Sequence, residues 1–171
     1  MKAPPASLEE LMAVALAVEM EAVERYTEFA DTLETHNNRE VAALFRTMAG
    51  YEAKHVTQVM QTMGWQEPPP RARQRIEWPG FESPEAVPVD EVHYLMQPWH
   101  ALQLALAAEQ RAEAFFAELV RLAPDADVRR AAEEMRQEEA EHVALVRSWM
   151  DKVPRPAGDW AEDPDPPRHA D

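Results

Sequence analysis

Residues 136–146 read RQEEAEHVALV, and two of them stand where apolar side chains belong. In the surrounding segment Val128, Ala131, Met135, Val146 and Trp149 recur at helical spacing and mark one apolar face. Glu139 and His142 fall on that face, between Met135 and Val146. Side chains three apart are neighbours on a helix, so a carboxylate and an imidazole point inward together. An earlier stretch, MAGYEAKHV at residues 48–56, does the same with Glu52 and His55. That pair interrupts a stripe of Val41, Leu44, Phe45, Met48, Val59 and Met63.

Each Glu-x-x-His pair is preceded by a lone glutamate in another apolar stripe. Glu19 interrupts Leu8, Leu11, Met12, Ala15, Val18, Ala22, Tyr26, Phe29 and Leu33. Glu109 interrupts Leu102, Ala105, Ala112, Phe116 and Leu119. The separation is 33 positions from Glu19 to Glu52 (52 − 19) and 30 from Glu109 to Glu139 (139 − 109). Tyr26 follows Glu19, and Phe116 follows Glu109, at the same seven-residue interval. The two halves therefore read as a duplicated helix pair with a pseudo-twofold relation.

The stripes predict four helices. The first covers residues 7–34 and opens on a Ser7/Glu10 capping box. Asn37 and Asn38 mark a turn, and the second helix covers residues 39–63, with Gly64 at its C-terminal cap. Pro68, Pro69, Pro70, Pro79, Pro84 and Pro88 prevent residues 65–92 from forming one helix. The third helix starts near His93 or Gln97 and ends near Leu122, with Pro98 tolerable only in its first turn. Pro124 and Asp125 break it, and the fourth covers residues 127–152. The connections are short, long, short, and the long one can span a helix of about 40 Å. The expected fold is all-α: one bundle domain over residues 7–152, two antiparallel pairs joined by a single crossover at about 65–92. The Pro/Asp-rich tail, residues 153–171, reads as extended or disordered.

Composition narrows the chemistry. The 171 residues include no cysteine, which rules out disulfides, zinc-thiolate sites, iron–sulfur clusters and a thiol nucleophile. Any metal must be held by oxygen and nitrogen. The net charge of −15 argues against nucleic acid and against anionic membranes. No apolar run reaches transmembrane length and residues 1–10 lack a signal-peptide core, so the expected location is cytoplasmic. Four carboxylates and two imidazoles in a core cannot neutralise one another. Two divalent cations, held by Glu19, Glu52, His55, Glu109, Glu139 and His142, would.

At these residues the chain resembles the rubrerythrin branch of the ferritin-like superfamily. The matching words are EMEAVERYTEFA at 19–30, MAGYEAKHV at 48–56, EQRAEAFFAEL at 109–119 and RQEEAEHVALV at 136–146, within a likeness covering residues 8–150. The resemblance implies a ferritin-like bundle in which Glu19 and Glu109 are terminal ligands, one per metal. It implies that Glu52 and Glu139 bridge or share the metals and that His55 and His142 each complete one shell. It makes Tyr26 a second-sphere tyrosine that hydrogen-bonds a ligand carboxylate. The implied cofactors are two metal ions, iron first, with manganese or zinc as substitutes.

This chain departs from the family at Ala112. Rubrerythrins carry a further glutamate there, and Glu113 lies one step round the helix, which leaves redox-dependent ligand switching without its carboxylate. Phe116 replaces a second tyrosine, and without cysteine there is no rubredoxin domain, so electrons for a peroxidase must come from a separate donor. The tail does not read as the short fifth helix of cage-forming ferritins.

The function expected is oxidation of Fe(II), or reduction of peroxide, at a binuclear centre, with O2 or H2O2 as oxidant. The rival is an iron-handling protein that stores iron or delivers it to a partner. A helical module with a vestigial site is a third reading, opposed by the intact set of six ligands. A homodimer is expected by analogy alone. His93 and His100 read as helix-end histidines, with metal uptake as the alternative role; His36 and His169 receive none. The nine methionines read as core fillers, and Trp65, Trp78 and Trp99 as packing near the crossover. Glu21, Glu24, Glu28, Glu133, Glu134 and Glu141 read as solvated, and so does Glu138, with an outer-sphere role beside Glu139 as its alternative.

Overall fold

A computed structural model describes residues 4–73 and 93–158. Four helices account for its regular structure: α1 (Leu8–Thr35), α2 (Arg39–Met63), α3 (Pro98–Leu122) and α4 (Ala126–Met150). No strand occurs among the described residues. α1 packs along α2 and α3 along α4, giving an all-α bundle of two helical hairpins. Among the described residues no helix is long and apolar enough to cross a membrane.

Local chemistry sets the helix ends. Ser7 Oγ accepts the Glu10 amide at 3.2 Å, while Glu10 Oε2 accepts from the Ala6 amide at 2.9 Å, one residue earlier than a strict capping box. Asn37 takes a positive φ of 61° in the turn after α1. Asn38 then caps α2, and its Nδ2 donates to the carbonyls of Tyr94 and Met96 at 3.2 and 2.7 Å, tying that turn to the lead-in of α3. Gly64 closes α2 in the left-handed region, at φ 65°, where a Cβ would be strained. α3 starts at Pro98, with His93 to Gln97 outside it. His93 and His100 do serve as end residues: His93 Nδ1 accepts the Leu95 amide and His100 Nδ1 the Gln97 amide, both at 3.1 Å. Asp125 caps α4 by accepting the amides of Asp127 and Val128.

The core falls into clusters, and the interrupting acids sit at their seams. One cluster holds Ala22, Phe29, Leu33, Phe45, Leu102 and Val146. A second holds Leu11, Val18, Phe116, Leu119, Val128 and Met135. Glu19, Glu109 and Glu139 each lie between members of the first cluster and members of the second on their own helix. On α2, Glu52 separates the first cluster from Val59 in the third. A polar layer thus divides apolar ones across all four helices.

Two expectations need correction. Leu8 is exposed and does not join the stripe. α1 is not amphipathic at its start: every residue from Leu11 to Glu19 is buried. The cover comes partly from the segment after α2, where Trp65 and Ala72 pack on Met12 and Leu16 and Arg71 pairs with Glu10 at 3.1 Å. Of the tail, Val153 packs on the core and the Arg155 guanidinium lies 5.0 Å from the Trp99 ring centre. Tail residues 159–171 with His169, and crossover residues 74–92 with Trp78, lie outside the described residues.

Candidate metal centre

Five of the six expected ligands are buried: Glu19 and Glu139 at 0 %, Glu52 and Glu109 at 2 %, and His142 at 9 % exposure. His55 is half-buried. One donor atom each from Glu52, Glu109 and His142 lie within 4.8 Å of one another, bringing α2, α3 and α4 to a single point. Around His142 Nδ1 stand Glu109 Oε2 at 3.3 Å, Glu139 Oε2 at 3.6 Å and Glu52 Oε1 at 3.7 Å. Glu19 belongs to the same nest, because the charges of Glu139, Glu52 and Glu109 all act on it.

His55 is placed differently. Its Nε2 faces His142 Nε2 at 3.1 Å, so the two imidazoles meet each other, and it is not part of the compact donor group. Its Nδ1 lies 3.1 Å from Glu138 Oε2, and Glu138 Oε1 accepts from Gln58 Nε2 at 3.2 Å. Glu138 is therefore not a purely solvated acid. It fixes the outer nitrogen of His55 and leaves Nε2 turned inward. The sequence signal was weak: an acid beside Glu139 looks solvent-facing until α2 is known to pass over it. Tyr26 OH donates to Glu109 Oε1 at 3.3 Å, as expected of an orienting tyrosine. Phe116 is core, and Glu113 lies 3.5 Å from Arg136 on the bundle surface.

The electrostatics are unfavourable without a cation. Glu19 Oε1 and Oε2, Glu52 Oε2, and Glu139 Oε1 and Oε2 are buried and have no hydrogen-bond partner among the described residues. Burial, then the charge of Glu139, holds the Glu19 carboxyl well above its usual range. Burial and the Glu109 charge push Glu52 up to about 7. Burial also raises Glu139, against the opposing pull of the His142 imidazole 3.6 Å away. Burial alone would lower His142, but its hydrogen bond with Glu109 and the close carboxylates of Glu139 and Glu52 push it up to about 11. One imidazolium cannot balance four ionised carboxylates, so without a cation the nest must hold protons on some of them or bear net negative charge in a dry core, and either is costly.

A family model for rubrerythrin matches residues 10–150. The chain belongs to the rubrerythrin family. A crystal structure of an uncharacterized conserved protein from Magnetospirillum magnetotacticum MS-1 is similar to it: 34 % identity, a TM-score of 0.62, and coverage of 88 % of this chain and 98 % of that one. No curated protein matches the chain. Membership of the rubrerythrin family implies a binuclear metal site. The donor set fits such a group: oxygen and nitrogen donors only, five carboxylate oxygens without a hydrogen-bond partner among the described residues, and four carboxylates whose full charge two divalent ions would balance.

Proposed function

We propose that this chain is a di-iron carboxylate oxidoreductase that oxidises Fe(II) with O2 or reduces H2O2, its ligands being Glu19, Glu52, His55, Glu109, Glu139 and His142. The observation that carries the reading is the group of buried carboxylate oxygens with no hydrogen-bond partner among the described residues. Hard oxygen donors with two imidazoles suit Fe(II) first and Mn(II) or Zn(II) as substitutes. A bound iron pair would supply two electrons to the oxidant. The chain supplies the rest. The carboxylates balance the charge and the two imidazoles complete the donor set. Tyr26 OH orients Glu109, and Glu138 orients His55. The apolar clusters above and below keep bulk water out. His142 Nδ1, which carries a proton in the metal-free protein, must give it up for the imidazole to serve as a ligand. As a peroxidase, the chain needs a separate electron donor.

The net charge of −15 favours a second reading, an iron-handling protein that gathers cations and passes them to a partner. One assay separates the two. Fe(II) is added anaerobically, and oxidation by O2 and by H2O2 is compared with that of free Fe(II). The oxidoreductase reading expects at least one oxidant to react about tenfold or more faster with protein present. Equal rates would leave only the iron-handling role. The Glu52→Ala and His55→Ala proteins are expected to lose the stoichiometry of two irons per chain, and wild-type iron binding in both would refute the ligand assignment.

A further inference from the structure

A recess between α2 and α4 leads from the half-buried rings of Tyr51 and Trp149 to Glu52, Glu109 and His142. The rest of its lining is Met48, Leu145 and Val146. It offers about 10 Å3 to the centre of a water-sized molecule, roughly enough for one. Tyr51 and Trp149 bracket it as a tilted pair with ring centres 5.9 Å apart, and Lys54 Nζ lies 4.8 Å from the Tyr51 ring centre. Its inner wall includes Glu52, whose Oε2 is buried with no hydrogen-bond partner among the described residues.

The lining sorts what can pass. Met48, Leu145, Val146 and the Trp149 ring offer no oxygen to replace the water of a hydrated cation, and Tyr51 brings at most one, so stripping that water is poorly compensated before the carboxylates are reached. An anion meets the same wall and then the carboxylates of Glu52 and Glu109. An apolar diatomic such as O2 meets neither penalty, and neutral H2O2 sheds only a few hydrogen bonds, far less than an ion's hydration. Cations have a better approach at the polar edge, where the side chains of His55 and Glu138 are 17 % and 28 % exposed.

We infer that this recess is the port by which a small neutral oxidant, O2 or H2O2, reaches the donor group, with Tyr51 and Trp149 setting its width. The inference rests on the di-iron reading above. Its test uses the full chain, Co(II) as a probe of the donors, and nitric oxide as a neutral diatomic probe of the port. Co(II) uptake by the metal-free protein is followed by visible absorption. Nitric oxide binding to the anaerobic Fe(II)-loaded protein is followed by stopped flow. Leu145→Trp, which narrows the recess, is expected to slow nitric oxide binding about tenfold, a barrier change of ~1.4 kcal/mol. Trp149→Ala is expected to speed it, and Co(II) uptake is expected to stay at the wild-type rate in both. Should Trp149→Ala fail to fold, Leu145→Trp decides alone. Unchanged nitric oxide rates, or Co(II) uptake that changes in step with them, overturn the port while the metal centre stands. Absence of Co(II) uptake by the wild-type chain overturns the metal centre, and the port with it.

Discussion

Replacing Glu19 with leucine is expected to stabilise the metal-free protein by about 1–3 kcal/mol while removing most of the stabilisation that Fe(II) gives the wild type. Glu19 is fully buried beside Val18 and Ala22, and neither of its oxygens has a hydrogen-bond partner among the described residues. In the metal-free chain the carboxyl must either stay protonated or bear its charge among Glu52, Glu109 and Glu139. Leucine fills a similar volume without that cost. A ligand that binds only the folded state at about a hundred times its Kd adds ~2.7 kcal/mol, and this gain requires the donor that leucine removes. Urea unfolding with chelator, and again with anaerobic Fe(II), measures both halves. A metal-free variant less stable than wild type would mean that Glu19 is held by the protein itself.

Metal-free stability is expected to fall as pH rises, and metal affinity to climb over the same range. The folded-state value of Glu52, about 7, lies above its usual 4.5. The folded chain thus holds that proton more tightly than the unfolded chain does. Its contribution is complete below about pH 4.5 and is lost as pH rises to about 7. His142 acts in the same sense: its contribution is complete below its usual 6.5 and is lost as pH rises towards about 11. Each such proton costs up to about 1.4 kcal/mol per pH unit within its window. Metal ligation displaces these protons, so affinity rises with pH. Denaturant unfolding in chelator at about pH 5 and about pH 8, paired with metal titrations, checks both trends. Metal-free stability that increases across that interval would contradict the assignment of these protons to the nest.

Much of this was legible along the chain because it is local. The Asn37–Asn38 turn and Gly64 bracket α2, and its range, Arg39–Met63, agrees with the stripe reading. The four carboxylates and His142 were visible as polar interruptions of apolar stripes, and all are buried. The start of α3 was ambiguous between His93 and Gln97; the Gln97–His100 hydrogen bond makes Gln97 the cap and Pro98 the first helical residue. What escaped depends on neighbours distant in sequence. The all-round burial of Leu11 to Glu19 depends on the segment that follows α2. The Glu138–His55 contact spans 83 positions, and no periodicity within α4 announces it. The same is true of Tyr51 and Trp149, which read as ordinary helix residues until α2 and α4 bring their rings together. The compact donor group likewise draws Glu52 from one half and Glu109 and His142 from the other, a meeting that only the packing of the two hairpins creates.

The central claim is that cations occupy the polar layer between the apolar clusters. Anomalous diffraction at the iron edge, from crystals grown anaerobically with Fe(II), tests it directly. The account predicts two peaks inside the bundle, within bonding distance of Glu52, Glu109, Glu139 and His142, with Glu19 and His55 completing the two shells. A bundle interior without anomalous density, with iron found only at surface acids such as Glu133 or Asp127, would contradict it.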